Sequence, residues 1–332
     1  MNHFGRYGLS LANRGVMFGA TTPAELVALG EQAEQSGVFD SVWVGDSILA
    51  KPRVDSIVLL AAVAARTSKV TLGPACFASF PLRHPISLAY QWASLDLLSG
   101  GRTVMVACIG GGTKSGAGEF DTEYAAFQAD PRQRAARMEE GIEILRNLWT
   151  QDVASHDGRF FHYEAVRMGP KPVQQPCPPI WVTANPHSVG VTSSAAQRRL
   201  FQRVARLGDG WMTAGVTPEE FATDLREIHR CLGEIGKDSD QFPSSIHYMI
   251  NVDENRKASL QEHKAFLREY YSFDWPQDKL DRMTAFGAPQ ECAEKLQAYF
   301  DRGLTTICLR FTSWNQREQV RRFVERVAPL LH

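Results

Sequence analysis

The feature that most constrains this chain is a change of hydrophobic period repeated along nearly its whole length: short β-branched runs alternate with amphipathic helical stretches. "RYGLSL" (6–11), "SVWVGDS" (41–47), "KVTLG" (69–73) and "TVMVACIGGG" (103–112) read as strands, as do "PIWVTA" (179–184), "GWMTAG" (210–215), "SIHYMINV" (245–252) and "LTTICLRF" (304–311). No linker or composition break divides the series. Eight strands, each followed by a helix, close most simply into one α/β domain over residues 1–332, a (β/α)8 TIM barrel. Stretches at about 112–130, 152–178 and 270–287 are longer than a connection needs and read as insertions.

The helices carry their own punctuation. Thr22-Pro23-Ala24-Glu25 and Thr217-Pro218-Glu219-Glu220 have the capping-box pattern with proline at the first helical position. Leu26, Leu29 and Ala33 then form one apolar face before Gly37. Asp55 can cap a helix whose face is Leu59, Ala62, Val63 and the stem of Arg66. Leu88, Trp92 and Leu95 mark a third helix, and Met138, Ile142, Leu145 and Trp149 a fourth. An open doubly wound sheet is the rival architecture. Its Gly-x-Gly-x-x-Gly turn, leading straight into a helix near the start of the chain, is missing; Gly110-Gly111-Gly112 comes at the fourth strand and feeds a long loop.

Charge narrows the partners. Lys plus Arg (36) nearly cancel Asp plus Glu (37), so no global field draws the chain to nucleic acid or an anionic membrane, and a small-molecule substrate is the expectation. No run of about 20 apolar residues exists for a membrane span and the first residues lack a signal-peptide profile, which points to the cytoplasm. The six cysteines form no Cys-x-x-Cys pair, and the nine histidines no His-x-His or His-Glu-x-x-His, so neither a disulfide framework nor a metal site is expected. No Gly-x-Ser-x-Gly elbow supports a serine hydrolase.

In a barrel, function gathers where the strands end. Those ends are Asn13, Asp46-Ser47, 75–79, 110–112, 183–186, 213–215, Asn251 and 310–312. Most are small or glycine, which lets backbone approach a flat ligand. Fitted side chains tapering the barrel mouth would give the same composition. Phe18, Phe77, Phe80, Phe161, Tyr163 and Trp314 hint at an apolar cavity.

Several segments taken in order carry a family likeness: "SVWVGDS", "KVTLGPACFASFPLRHPISLAYQWASLDLLSGGR", "RMEEGIEILRNLWTQDVASHDGRFF", "PPIWVTANP", "RVARLGDGWMTAG" and "GAPQECAEKLQAYFDRGLTTICLRF". Together they resemble the bacterial luciferase-like flavin-dependent oxidoreductases, across nearly the whole chain. The resemblance implies a single barrel with an insertion, commonly a homodimer, holding FMN or a deazaflavin coenzyme at the strand ends. It places a bulge, often with a non-prolyl cis peptide, within Ala75-Cys76-Phe77, against which the ring leans. Thr183, Ala184, Asn185, Ala214 and Gly215 would seat the phosphate and ribityl chain, Gly110 and Gly111 the ring edge, and Asn13 would complete the coenzyme contacts.

One departure bears on mechanism. Relatives often carry a histidine after the aspartate that ends the second strand, where this chain has Asp46-Ser47, and a serine is no base near neutral pH without help. Asp46 and Ser47 are the catalytic candidates, with a purely structural Asp46 as the competing reading. The first functional expectation is a monooxygenase using dioxygen and reduced FMN from a separate reductase, because no second nucleotide-binding domain is visible. The alternatives are hydride transfer with the deazaflavin coenzyme and a non-catalytic flavin-binding accessory subunit. Residues 155–178 and 271–287 are the candidate lids.

Overall fold

The computed structural model describes residues 6–111, 118–272 and 274–332; Gly112, and with it the start of the first insertion, lies outside them. The chain runs through β1 (Tyr7–Leu11), α1 (Pro23–Gln35), β2 (Ser41–Val44), α2 (Ser56–Ala64), β3 (Thr71–Pro74), α3 (Pro85–Ser99) and β4 (Met105–Ala107). Then come α4 (Phe120–Ala126), α5 (Arg134–Thr150), β5 (Ala154–Asp157), β6 (His162–Val166), β7 (Ile180–Thr183), α6 (Ser194–Leu207), β8 (Gly210–Ala214) and α7 (Pro218–Glu234). β9 (Ser244–Val252), α8 (Arg256–Tyr271), α9 (Gln277–Met283), β10 (Ala285–Gly287), α10 (Pro289–Phe300), β11 (Thr306–Phe311) and α11 (Gln316–Arg322) complete it.

Eight strands pair in parallel in the order β3-β2-β1-β11-β9-β8-β7-β4. The ring closes between its two ends. Leu72 N–H donates to Arg102 C=O (2.8 Å), Val104 N–H to Leu72 C=O (3.0 Å) and Phe77 N–H to Val106 C=O (2.8 Å). This is the barrel expected from the alternation. The insertion after α5 is the antiparallel hairpin β5–β6, the one before it contains α4, and the last contains α9 and the short β10, which pairs with β9 outside the ring.

Strand alternation divides the core into two shells. Leu9, Leu11, Val42, Val44, Ile307 and Leu309 point outward to the helices, while Trp43, Val104, Val106, Trp181, Met212 and Cys308 fill the inside. Trp43 and Trp181 lie 5.8 Å apart between ring centroids. Their bulk needs room on the facing strands: a Cβ on Gly8 would stand 2.2 Å from Trp43 Nε1. The strand therefore carries glycine where an inner side chain would otherwise sit.

Both capping boxes form as expected, and Asp55 caps α2 by accepting from Ile57 and Val58 N–H. The buried face of α2 is corrected to Leu59, Leu60 and Val63. Ala62 is exposed, and Arg66 lies beyond the helix end, paired in solvent with Glu31. The proposed aromatic cavity is corrected for four of its six members, while Phe18 and Trp314 do meet, with ring centroids 6.3 Å apart. Phe77 and Phe80 pack with Trp92 in the outer core, and Phe161 and Tyr163 lie on the hairpin against His84 and His156.

Candidate functional site

β3 is short because Gly73-Pro74 ends its ladder, and the chain then crosses toward β4 through 75–79. The non-prolyl cis peptide expected here is the Ala75–Cys76 bond. Phe77 N–H returns to Val106 C=O, and its side chain is fully buried outside the barrel, so Phe77 offers the mouth only backbone. Cys76 remains partly exposed on the inner side beside Trp43 and Val106.

Asp46 holds this bulge in place. Its Oδ2 accepts from Ser79 N–H (2.7 Å), and its Oδ1 from Ser56 Oγ (2.8 Å) and Arg83 Nη2 (3.4 Å). Both oxygens are thus occupied by the protein. Ser47 Oγ accepts from Lys51 N–H (3.0 Å) at the start of the following loop. Asn13, fully buried, ties the end of β1 to β2: its Nδ2 donates to Gly45 C=O (2.8 Å) and Val54 C=O (3.1 Å), and its Oδ1 accepts from Gly45 N–H (3.2 Å).

Beyond β4, Cys108 faces Cys76. Cys76 and Thr183, close to the Cys108 sulfur, hold its thiol below its ordinary pKa, while the neighbouring Cys108 and burial push that of Cys76 up. Gly110 takes a left-handed φ of 72°, and a Cβ there would meet Ala78 C=O at 2.8 Å. Gly111 accepts from Arg134 through its carbonyl. Cys76, Cys108, Gly110 and Thr183 therefore border one stretch of the mouth across β3, β4 and β7.

Next along the ring, Ala184 C=O accepts from Trp211 Nε1 (3.1 Å), which fixes the loop after β7. Asn185 Oδ1 is buried with no hydrogen-bond partner. Gly215, with φ of 66°, follows Ala214 and comes against Ser188 from this loop. Ser193 begins the 14-residue α6 without a side-chain cap, so the positive end of that helix is open to an outside acceptor. An orphaned acceptor, an uncapped helix start and close-approaching backbone fit the ribityl hydroxyls and phosphate of a flavin-type coenzyme.

The opposite arc, β2-β1-β11-β9, is built differently. Inward-facing Ser10, His247 and Arg310 replace apolar side chains. Arg310 is 2% exposed, and its Nη2 donates to Ser10 Oγ (2.7 Å). Its guanidinium lies 4.9 Å from the Tyr270 ring centroid at the end of α8. His247, half-buried, stays neutral, with its pKa lowered to about 3 by the low-polarity surroundings and by Arg310. Lys51 is lowered to about 8 by burial and by the nearby charges of Arg53 and Arg14. Sequence reading marked Arg310 as a strand end but missed Arg14, Ser10, His247, Tyr270 and Tyr271. The available signal was polar residues at inward positions of strands whose outward neighbours are uniformly apolar.

A closed parallel barrel whose mouth offers a backbone-lined, phosphate-ready arc defines a barrel enzyme of the ring-coenzyme kind. Residues 6–306 match the family described as luciferase-like monooxygenase, and the chain belongs to that family. It is 26% identical to an F420-dependent glucose-6-phosphate dehydrogenase of Kineococcus radiotolerans over 93% of both chains. It is 31% identical to the oxygenase component of a flavin-dependent trigonelline monooxygenase of Acinetobacter baylyi, over 50% of this chain and 45% of that one. An F420-dependent secondary alcohol dehydrogenase superposes with a TM-score of 0.79 at 16% identity, covering 99% of each chain. The protein is an oxidoreductase of the flavin- or deazaflavin-dependent kind.

Proposed function

We propose that the chain is a deazaflavin-dependent oxidoreductase that transfers hydride to or from a small polar substrate. The observation that carries this reading is the character of the mouth on the substrate side. An oxygenase must keep water from a reactive oxygenated coenzyme, which calls for an apolar enclosure. Here the arc facing the ring's seat presents Arg14, Lys51, Arg53, Ser10 and Arg310 among the aromatic rings of Phe18, Tyr270 and Trp314, while Phe77 and Phe80 turn into the outer core. The match to F420-dependent dehydrogenases along nearly the full chain supports the same reading. The trigonelline monooxygenase match favours the second, a monooxygenase fed with reduced FMN by a separate reductase.

When bound, the deazaflavin supplies the hydride acceptor or donor. Cys76, Gly110, Thr183 and Asn185 would hold and orient it, and the open N-terminus of α6 would receive its phosphate. The proton released from a substrate hydroxyl needs a base of this chain. Cys108 takes that role: it borders the ring's seat, and the Cys76 and Thr183 groups beside it hold its thiol below the ordinary pKa. Anaerobic titration with F420 and with FMN tests the proposal, with iodoacetamide labelling of Cys108 followed in parallel. Tight F420 binding that slows the labelling is expected. Preferential binding of reduced FMN, with substrate-dependent dioxygen uptake, would replace this reading with the second.

A further inference from the structure

We infer that Arg310, with Arg14 and Arg53 on the rim, forms an oxyanion subsite that grips a phosphate or carboxylate group of the substrate. The inference rests on the oxidoreductase reading above and names the substrate class for that site.

A guanidinium stays charged in proteins, so burying one without a counter-ion is costly. Arg310 is such a group. Its Nη2 donates to the Ser10 hydroxyl and Tyr270 lies against it, while Nε and Nη1 are buried without a hydrogen-bond partner among the described residues. Burial opposes its charge, yet Tyr270, Tyr271 and Cys308 around it outweigh that effect and raise its pKa.

The neighbours add positive charge and no described negative charge. Arg53 lies across the end of β2, so close that a Cβ on Gly45 would meet its Nη1 at 2.1 Å, and its Nε donates to Lys51 C=O (2.9 Å). Arg14 reaches from the turn after β1 to the Tyr270 carbonyl and lies near enough to Arg53 for the two charges to repel. The Tyr271 phenol is near enough to feel both Arg310 and Arg53. No described carboxylate stands within 4.0 Å of the guanidinium nitrogens of Arg14, Arg53 or Arg310, whereas Arg83, Arg146, Arg203 and Arg322 elsewhere in the chain each have one. His247 is neutral, so it neither adds to nor offsets the charge. A bound oxyanion would satisfy the idle donors and relieve the repulsion together.

The coenzyme's own phosphate is the competing occupant, and the ring order argues against it. The phosphate-ready loops follow β7 and β8 and the bulge follows β3, so a coenzyme between them passes over β4. β11 lies across the barrel from β4. The arginine arc is left for the other reactant.

The test uses the full chain, with and without saturating F420, titrated with inorganic phosphate and with sodium acetate at neutral pH against sodium chloride of matched ionic strength. Thermal stability is the readout. Phosphate or acetate is expected to raise the midpoint beyond chloride, and Arg310→Gln to weaken that response about tenfold or more. A stronger response to phosphate identifies a phosphate ester; a stronger one to acetate identifies a carboxylate. Should Arg310→Gln fail to fold, Arg53→Gln and Arg14→Gln carry the test, each expected to weaken the response several-fold. No response beyond chloride, an undiminished response in the variants, or displacement of the anion by F420 overturns the inference. F420 binding is measured independently, so an anion response without it leaves the subsite standing while refuting the coenzyme assignment.

Discussion

At the residue scale, Lys51 shows what the positive arc costs the fold. Its pKa falls to about 8 through burial and the charges of Arg53 and Arg14. A folded-state value below the unfolded one means that the folded protein disfavours the charged form. Below pH 8 the amine is protonated folded and unfolded alike, and the full penalty applies; as pH rises from 8 toward the ordinary lysine range the penalty disappears. Lys51→Met should therefore stabilise the protein at pH 7 by about 2 kcal/mol, with the margin narrowing by pH 10. Urea midpoints at the two pH values check this, and an equal margin at both would refute it. The sequence marks Lys51 only as a loop residue, because its altered chemistry comes first from burial in the fold, then from Arg53, and last from Arg14, which lies 37 positions earlier and is brought alongside by the pairing of β1 and β2.

At the scale of elements, the bulge after β3 is positioned from outside its own segment. The run of small residues from Ala75 to Ser79 was legible as a strand thinning out, and Asp46 was legible as a site residue, but their connection was not. It depends on β2 and β3 lying side by side, so that the Asp46 carboxylate meets Ser79 N–H and Arg83. Removing this buried carboxylate leaves a backbone donor, the Ser56 hydroxyl and a largely buried guanidinium short of an acceptor. Asp46→Ala should cost about 3 kcal/mol and weaken coenzyme binding by loosening Cys76. Asp46→Asn, which keeps one acceptor oxygen, should recover part of both. A fully stable Asp46→Ala protein with altered turnover and unchanged coenzyme affinity would instead make Asp46 a catalytic residue.

At the scale of the whole molecule, the eight-fold alternation was readable because each strand's period and each helix's cap is a local signal. The closure of the ring was not, since it depends on β3 and β4 meeting through a few bonds around Leu72 and Thr103 and around Phe77 and Ala107. The filling of the barrel was hidden for the same reason: Trp43 reads as an ordinary strand residue, and its fit is set by Gly8 on the next strand and Trp181 across the interior. Gly8→Ala places a methyl group against the indole and disturbs its bond to Ser41 Oγ (2.8 Å), so it should destabilise the protein by about 2 kcal/mol. Trp43→Phe removes that clash while leaving a void, and should cost a comparable amount alone. If the two residues share one packing space, the double variant should be less destabilised than the sum by about 1 kcal/mol or more. Denaturant unfolding of the four proteins gives this coupling directly, and strict additivity would mean that the inner layer is not packed as a single unit around Trp43.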